Sequence, residues 1–330
     1  MGKRFLVTGG TGFIGSALVA RLVREGHSVR VLDNDLRGAK ERLSGVGDIE
    51  LIKGDIRDPL TVVNACKSMD SVIHLAYLNG TEYFYKFPEL VLDIGVKGMI
   101  NVLDGCIKHG VKELILASSS EVYQLPPKIP TDETVPLVVP DVLNPRYSYG
   151  GGKIISELLA INYGRKHFDR VLVFRPHNVY GPDMGWEHVI PQFIDRMKSI
   201  SSGKKAKFAI QGTGKETRSF IYIDDFIDGL LLVLKKGKHL NIYHIGTQDE
   251  ISIEDLARQI AVAMKKEIAV TPGKLSQGST ARRCPDISKL KSLGFSPKTS
   301  LSFGIEKTLP WYLNNRPKKY HSSTIREALH

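Results

Sequence analysis

Short apolar runs alternate with longer segments of helical pattern through the first half of the chain, and this alternation is the strongest constraint on its fold. Near-continuous apolar runs of this kind are typical of parallel strands that are covered on both faces of a sheet. Because crossovers between parallel strands are right-handed, the pattern predicts an α/β fold with a doubly wound parallel sheet. The runs are Phe5–Val7, Val29–Leu32, Ile49–Ile52, Val72–Leu75, Leu114–Ala117 and Val171–Phe174.

The pattern loosens after Phe174, where glycine, proline and polar loops surround shorter helical segments such as Val189–Lys198 and Ile253–Met264. We therefore predict that residues 1–175 form the sheet domain. Residues 176–312 are expected to form a smaller C-terminal α/β cap, which is partly interleaved with the first domain and covers the carboxyl ends of the strands. Residues 313–330 are polar and basic and are predicted to form a tail.

The charge and the cysteines of the chain limit the kinds of ligand and the cellular compartment that we expect. A formal net charge of +11 and a pI near 9.4 come from basic residues scattered in pairs, so we expect a cleft for a polyanionic small molecule rather than nucleic acid. Cys66, Cys106 and Cys284 form no C-x-x-C pair, which argues against a disulfide framework or a metal site. With no apolar run of membrane-spanning length and no signal-peptide pattern, we expect no membrane association and a cytoplasmic location.

A glycine-rich turn follows the first apolar run. Gly9, Gly12 and Gly15 precede a helix that is predicted from Ser16. Glycines at this spacing allow a tight turn and a backbone close enough to touch a pyrophosphate, which the free N–H groups and the dipole of the helix would hold. The turn therefore predicts a dinucleotide site.

Two acidic residues at the ends of later strands refine this prediction. Asp33 ends the second run, where a carboxylate accepts hydrogen bonds from both ribose hydroxyls and repels a 2′-phosphate. Asp55 follows the third run and is expected near the adenine. The pattern favours NAD over NADP, although Arg37 nearby leaves NADP open.

Tyr149 and Lys153 are four residues apart at the start of a helical segment, so their side chains are expected on one face. A nearby ammonium stabilises a phenolate, and we expect it to lower the pKa of the tyrosine toward neutrality and make it a general base. The run Leu114–Ala117 delivers Ser118–Tyr123 at its carboxyl end, where open α/β sheets bind ligands. A serine hydroxyl there can hydrogen-bond the same substrate oxygen.

With these motifs in this order, the chain resembles the extended short-chain dehydrogenase/reductase family, in its nucleotide-sugar epimerase/dehydratase branch, over roughly residues 3–312. The resemblance implies a Rossmann NAD-binding domain and a second domain that binds a nucleoside-diphosphate sugar, with a UDP-sugar favoured. It also implies a homodimer formed through a helix bundle that includes the Tyr149 helix. The further motifs that carry it are His74–Ala76, Arg175–Pro182, Gly212–Gly214, Arg218–Asp225 and Arg283–Asp286.

The resemblance implies roles for individual positions. Ser119, Tyr149 and Lys153 match the catalytic serine or threonine, the base and its lysine partner. Arg218 and Arg283 match a pair that clamps the substrate diphosphate, which suits permanently charged, planar guanidinium groups. The positions that match the lining of the NAD site are Gly9, Gly12, Phe13, Ile14, Gly15, Asp33, Asp55, Ile56, Leu75, Ala76, Tyr149, Lys153 and Pro176. The positions that match substrate contacts are Ser120, Asn178, His188, Phe208, Ile210, Arg218 and Arg283, with Phe208 and Ile210 flanking the base of the nucleotide.

The chain departs from the family pattern at several positions. Gly150–Gly152 stand where relatives often carry Ser or Thr before the lysine; they weaken the helix start and leave room for a bulky group or for motion. Gly95 stands where relatives often carry Asn, and Ser219 where an Asp usually follows Arg218. His188 lies in an unusual Gly-Trp-Glu-His segment, where a role at an interface is as well supported as binding of a phosphate or a sugar carboxylate.

The reaction implied by the resemblance begins when Tyr149 takes the proton of the sugar C4 hydroxyl while hydride passes to NAD, which leaves a 4-keto sugar. Ser120 and Glu121 follow Ser119 in the sequence. The Glu121 carboxylate could take the C5 proton and promote loss of water from C6, whereas Ser120 is a poor acid. We therefore favour 4,6-dehydration or C5 chemistry with Glu121 as the base. C4 epimerisation and UDP-glucuronate decarboxylation remain open, since decarboxylases of the family also carry Ser-Glu. A non-catalytic module that senses NAD is the alternative of another class, and the retained Tyr149–Lys153 pair argues against it.

Overall fold

The computed structural model describes residues 2–201, 203, 205–274 and 280–316. The strands are β1 (Arg4–Thr8), β2 (Ser28–Asp33), β3 (Glu50–Lys53), β4 (Ser71–His74), β5 (Glu113–Ala117), β6 (Arg170–Pro176), β7 (Val179–Tyr180), β8 (Ala206–Ala209), β9 (Thr217–Ser219), β10 (Ile221–Tyr222), β11 (Asn241–Ile245), β12 (Glu250–Ser252), β13 (Ile268–Thr271) and β14 (Arg282–Arg283). The α-helices are α1 (Phe13–Arg24), α2 (Pro59–Cys66), α3 (Thr81–Lys86), α4 (Pro88–Leu92), α5 (Gly98–His109), α6 (Ser148–His167), α7 (Val189–Lys198), α8 (Ile223–Lys236), α9 (Ile253–Ala263), α10 (Ser288–Ser292) and α11 (Leu301–Asn314). A π-helical segment, Asp93–Lys97, joins α4 to α5.

Seven parallel strands form the central sheet in the order β11-β6-β5-β4-β1-β2-β3. The chain adds β2 and β3 on one side of β1 and then crosses to add β4 on the other side. The point between β1 and β4 is thus the switch point at which open α/β sheets bind ligands at the carboxyl ends of their strands. The predicted doubly wound α/β fold is confirmed.

Both faces of the central sheet are covered, which explains why its inner strands β1, β4, β5 and β6 are mostly apolar. Ile73 and Ile115 face one hydrophobic cluster, while Val72 and Leu114 face another on the opposite side, and all four are fully buried. Each such side chain stabilises the fold by roughly 1.5–3 kcal/mol. The sheet therefore forms a rigid support for the loops at its carboxyl edge.

The second half of the chain contributes small sheets and also returns to the central one. β11 pairs with β6, so a strand from the second half of the chain lies in the central sheet. The domain boundaries at residues 175 and 312 stay a prediction. Of the predicted tail, residues 313 and 314 end α11, and residues 317–330 lie outside the described part of the chain.

Two kinds of feature, a membrane-spanning helix and a metal-binding cluster, are absent from the part of the chain that the structure describes. None of the helices found there is long and apolar enough to cross a membrane. The same residues contain no group of three or more His, Cys, Asp or Glu side chains arranged to hold a metal ion.

Candidate active site

The glycine-rich turn lies between β1 and α1 and forms a cradle of bare backbone. Gly9 has a φ of +75°, and a Cβ there would lie 2.7 Å from the backbone of the segment after β4. A Cβ on Gly15 would overlap the carbonyl oxygen of Gly9, so both positions require glycine. The helix begins at Phe13 and not at Ser16 as predicted, because the last glycine of the turn already lies in the first helical turn. Gly12 at the N-cap leaves the first N–H groups without a side-chain partner, which suits an anion.

The two predicted acidic residues have fixed carboxylates. The carboxylate of Asp33 accepts hydrogen bonds from the backbone N–H of Thr11 at 3.0 Å and of Asp35 at 2.9 Å. That of Asp55 accepts hydrogen bonds from the backbone and side chain of Arg57. Burial alone would raise the pKa of Asp55, but the bonds from Arg57 outweigh it and hold that pKa below its usual value. Both carboxylates are therefore oriented, and that of Asp55 is ionised near pH 7.

Two adjoining cavities, of about 400 Å³ and 130 Å³, occupy the switch point and share Gly9, Gly12 and Leu75 in their walls. All thirteen residues predicted to line NAD lie in the wall of one or both, so the structure brings together segments from Gly9 to Pro176. The smaller cavity is lined by Gly9, Gly12, Asp33, Asp55, Ile56, Leu75 and Ala76. The larger is lined by Gly9, Gly12, Phe13, Ile14, Gly15, Leu75, Tyr149, Lys153 and Pro176.

The predicted catalytic residues meet where α6 packs against the carboxyl end of β5. The Ser119 hydroxyl lies next to Tyr149 and acts on the pKa of its phenol. The Ser119 hydroxyl oxygen also accepts a bond from the Glu121 backbone N–H at 3.1 Å. The Lys153 ammonium donates to the carbonyl oxygen of Ala117 at 2.7 Å. A substrate hydroxyl in the larger cavity can therefore reach Tyr149 and Ser119 together.

The pKa values in this site differ from the sequence-based expectation. Burial raises the pKa of Tyr149, and the neighbouring Ser119 hydroxyl offsets this only in part. Burial lowers the pKa of Lys153 to about 7, partly opposed by Glu157 on the same helix. The Lys153 nitrogen lies 5.8 Å from the centroid of the Tyr149 ring. The protein's own residues thus do not lower the tyrosine pKa toward neutrality, because the phenol is desolvated and the neighbouring groups do not compensate for it.

Glu121 is held by two arginines that belong to distant segments. One carboxylate oxygen accepts a hydrogen bond from Arg283 at 2.6 Å, and the other lies 3.6 Å from the guanidinium of Arg146. Burial would raise the pKa of Glu121, but the charges of Arg283 and Arg146 outweigh it and hold that pKa below its usual value. The carboxylate is therefore ionised and fixed in place.

Three of the predicted substrate contacts line the larger cavity beside Arg283. Ser120 is buried there, and the Asn178 side chain donates to the carbonyl oxygen of Ser219 at 2.8 Å. His188 is half-buried, and its pKa is lowered to about 4 by burial and by the charge of Arg37. The imidazole is thus neutral near pH 7, which favours hydrogen bonding over ion pairing with a substrate anion.

The other three predicted substrate contacts line neither of these two cavities. Arg218 lies beside Arg283 in the register of β9 and β14, but its guanidinium donates to the carbonyl oxygen of Thr280 at 2.6 Å. Phe208 and Ile210 are each 3% exposed and belong to the hydrophobic core. Contact of these three with a substrate stays a prediction.

Some residues at the site escaped the sequence analysis. Arg146 was missed although it stands in the same Pro-Arg-Tyr-Ser-Tyr segment as Tyr149, and that spacing was the available signal. Arg37, which the sequence marks only as a possible contact for a 2′-phosphate, forms an ion pair with Glu187, and both line the larger cavity. Tyr77 lines both cavities. Partners so far apart in sequence leave no local pattern that would pair them.

The comparisons with known proteins agree with this geometry. A model of the NAD dependent epimerase/dehydratase family matches residues 5–246. The chain is 33% identical over 310 residues to UDP-glucuronic acid decarboxylase 6 of Arabidopsis thaliana, covering 92% of this chain and 86% of the relative. It is 31% identical over 325 residues to the UDP-N-acetyl-alpha-D-glucosaminuronate decarboxylase of Bacillus cytotoxicus, covering 94% and 98%.

Solved structures show the same relationship. The dTDP-glucose 4,6-dehydratase DesIV of Streptomyces venezuelae, solved with NAD, superimposes with a TM-score of 0.84 at 28% identity, covering 95% of this chain and 98% of that one. MoeE5 in complex with UDP-glucuronic acid and NAD gives 0.79 at 27%, covering 93% and 98%. The chain belongs to the NAD dependent epimerase/dehydratase family. It is an enzyme that uses NAD as its cofactor and acts on a nucleotide sugar, and the cradle at Gly9 and Gly15 fits that cofactor.

Proposed function

We propose that this enzyme decarboxylates a UDP-uronic acid through a 4-keto intermediate. The observation that carries the proposal is the ionised carboxylate of Glu121, held between Arg283 and Arg146 in the wall of the larger cavity. Here the proposal departs from the preference for dehydration drawn from the sequence.

Dehydration requires a general base for the C5 proton and a general acid for the C6 hydroxyl, and the side chains around Glu121 are poorly suited to both roles. A general base works best when its pKa lies near the working pH, and the lowered pKa of Glu121 makes it a weak base toward the C5 proton. An acid is also needed to protonate the departing C6 hydroxyl. The carboxyl groups that line the larger cavity, Glu121 and Glu187, are both paired with arginines. Decarboxylation needs neither group, since carbon dioxide leaves from a carboxylate without prior removal of the C5 proton.

Ser119, just after β5, and Tyr149, on α6, both act on the C4 oxygen of the sugar in the proposed reaction. The chemistry that NAD supplies when bound is the reversible removal of a hydride from the sugar C4. Tyr149, in its phenolate form, takes the C4 hydroxyl proton and becomes a neutral phenol, and Ser119 holds the same oxygen. The C4 ketone is then β to the C6 carboxylate, so the C5–C6 bond breaks, its electron pair moves to the C4 oxygen, and carbon dioxide leaves. The Ser119 and Tyr149 hydroxyls stabilise the resulting enolate, and C5 takes a proton from solvent water. When the hydride returns to C4, Tyr149 gives its proton back to the C4 oxygen.

The charges around C6 fit this substrate. Arg283 and Arg146 attract a uronate carboxylate, while the fixed charge of Glu121 disfavours its tight capture and so favours its loss. Relatives named as UDP-glucuronic acid decarboxylases, at 31–33% identity over most of the chain, support the choice of substrate.

The test is incubation of the purified protein and NAD with UDP-glucuronic acid, UDP-glucose and dTDP-glucose, followed by mass spectrometry of the products. We expect UDP-glucuronic acid to lose the mass of carbon dioxide and the other two sugars to remain unconverted. Tyr149→Phe is the matched control and should convert none of them. Loss of the mass of water from either glucose nucleotide, with no reaction of UDP-glucuronic acid, would overturn the proposal in favour of dehydration.

We also propose that the enzyme is a homodimer whose interface includes α6. The apolar side chains of Ile155 and Leu158 on this helix are 40% and 58% exposed, and Leu92 and Ile100 on the neighbouring helices are 37% and 38% exposed. Apolar side chains grouped on adjacent helices are typical of an interface. Sedimentation should give a dimer for the wild type and a monomer for Leu158→Arg, whereas a monomeric wild type would refute the assembly.

A further inference from the structure

Tyr77 lies in the segment after β4, and no sequence motif includes it. Its side chain contacts Tyr149 and Lys153, which we call the proton-transfer pair. Its ring lies under the Lys153 ammonium, with 4.0 Å between the nitrogen and the ring centroid. It also packs edge-to-face against the Tyr149 ring, at 5.1 Å between centroids and an interplanar angle of 84°. The Tyr77 ring is thus closer to the lysine than the Tyr149 ring is.

Two glycines make room for this ring. Gly95 lies in the π-helical segment and Gly152 in the first turns of α6, and a Cβ on either would overlap the Tyr77 hydroxyl. At Gly95 the Cβ would overlap the ring as well, whereas at Gly152 the nearest ring carbon would lie 3.4 Å away. These are two of the positions at which the sequence is expected to depart from the family pattern. The room that the glycines leave is filled by a bulky group.

The rest of the glycine triplet differs from Gly152. A Cβ on Gly151 would meet Val139 at 3.5 Å, an ordinary van der Waals contact. One on Gly150 would lie 2.8 Å from the backbone oxygen of Glu121, so close approach of the β5 loop requires that glycine. Only the third glycine of the triplet faces Tyr77, which makes Gly151 a matched control for it.

The Tyr77 hydroxyl is enclosed and has no hydrogen-bond partner among the described residues. An enclosed hydroxyl without a partner stabilises nothing, so the useful part of this side chain is its aromatic face. Aromatic faces attract ammonium groups, and the attraction is strongest where water is excluded.

We propose that Tyr77 is a positioning residue for the proton-transfer pair: its ring holds the Lys153 ammonium beside Tyr149, and Gly95 and Gly152 are glycine in order to admit the ring. The role concerns the first step, C4 oxidation, and it holds whichever nucleotide sugar the enzyme uses.

The groups that face Lys153 come from three elements. Glu157 and Tyr149 lie on α6, His74 lies on β4, and Tyr77 follows that strand. His74 is fully enclosed and uncharged, because burial lowers its pKa to about 3. The Glu157 charge is shared with Arg175, which it pairs with at 2.6 Å. Removal of the Tyr77 ring therefore takes away an attraction that the remaining neighbours do not replace, and the ammonium should become less stable.

The first test is the titration of Lys153 by NMR in protein that carries lysine labelled at the ε position, with Lys153→Met to assign the signal. We expect Tyr77→Phe to titrate like the wild type. In Tyr77→Leu the midpoint should fall by about one pH unit, because a desolvated cation–π contact is lost. A Tyr77→Leu midpoint within a few tenths of the wild type, or an equal fall in Tyr77→Phe, would overturn the role of the ring. No sugar is needed, so failure of the decarboxylase proposal leaves this result interpretable.

The second test is a set of double-mutant cycles on urea unfolding, which remains informative if Tyr77→Leu folds poorly. We expect Gly152→Ala to lower the unfolding midpoint in the wild type but not in Tyr77→Phe, since the overlap there involves the hydroxyl. Gly95→Ala should lower it in both, since that overlap includes the ring. The control Gly151→Ala should not lower it in either background. Equal effects of Gly152→Ala in the two backgrounds would refute the accommodation of Tyr77 by the glycines.

Discussion

The two ends of the cleft are built by different means. At the cofactor end, Gly9, Gly15 and Asp33 lie close together in sequence, and backbone groups create the geometry: glycines form the cradle and N–H groups fix the carboxylate. At the other end, where we place the sugar and which we call the sugar end, charged side chains fix one another, as Glu121 and Arg283 do across 162 residues of sequence.

This difference separates what the fold keeps from what the reaction changes. Backbone donors recognise a pyrophosphate in any dinucleotide, so the cofactor end needs little beyond its turn and one acidic residue. The side chains at the sugar end can be exchanged without disturbing the sheet beneath them, which is how one fold supports several reactions. The identity of Glu121, Arg283 and Arg146 therefore carries more information about the reaction than the whole cofactor end does.

The largest expected effect is on turnover and comes from a substitution at the sugar end alone. Glu121→Gln keeps the shape of the side chain but removes the charge that the two arginines balance. Loss of one such preorganised group lowers turnover by about 10²–10³-fold, while the affinity for NAD should stay the same. Steady-state kinetics with UDP-glucuronic acid and calorimetry with NAD measure both. Turnover within about threefold of wild type would mean that the carboxylate is structural.

The converse substitution isolates the cofactor end. Asp33→Ala removes the carboxylate that the backbone of Thr11 and Asp35 orients. Since charge-assisted hydrogen bonds contribute about 1.5–3 kcal/mol each, the Kd for NAD should rise by roughly 10–100-fold. Discrimination against NADP should relax, and the Kd for UDP should be unaffected. A wild-type enzyme that binds NADP more tightly than NAD would contradict this reading.

A smaller expected effect is on the affinity for UDP, and it tests whether Arg218 belongs to the sugar end. Arg218→Ala should raise the Kd for UDP about tenfold if this arginine turns from the carbonyl of Thr280 to a diphosphate. The Kd for NAD should change little. Calorimetry with UDP and with NAD separates the outcomes, and equal losses of both affinities would indicate a folding defect instead.

The last predicted effect is on stability instead of binding or turnover, and it concerns Lys153, which lies where the two ends meet. The folded-state pKa of Lys153, about 7, lies below its unfolded value of 10.5. Between these values the unfolded chain binds more protons, so the buried amine makes stability rise with pH, by at most about 1.4 kcal/mol per pH unit. Lys153→Met lacks this contribution, and its free energy of unfolding should rise less between pH 7 and 9.5. Parallel urea-unfolding profiles for the two proteins would show that the amine is not titrating there.

The sequence predicts the parts of the molecule that depend on local pattern. The apolar runs predict the strands β1–β6, the helix α7 has the predicted bounds Val189–Lys198, and Gly9 and Asp33 mark the cofactor end. Each of these signals is contained within a few neighbouring residues.

The sugar end depends on contacts that no local pattern encodes. The pairing of Arg283 with Glu121 needs the cap to fold over the sheet before the two meet. The rise in the Tyr149 pKa comes from burial by many segments, so the lysine four residues away gave the opposite expectation. Tyr77 is visible in the sequence only through the glycines that admit it.

The central claim is that the side chains at the sugar end remove carbon dioxide from a 4-keto uronate. It is tested most directly by turnover of UDP-glucuronic acid carrying ¹³C in its carboxyl group, in heavy water, with NMR of the product and the released gas. We predict one labelled carbon dioxide for each product molecule and one deuterium at C5 of the product sugar. A product that retains the labelled carboxylate, whether or not deuterium enters C5, would contradict the account and assign the enzyme to epimerisation.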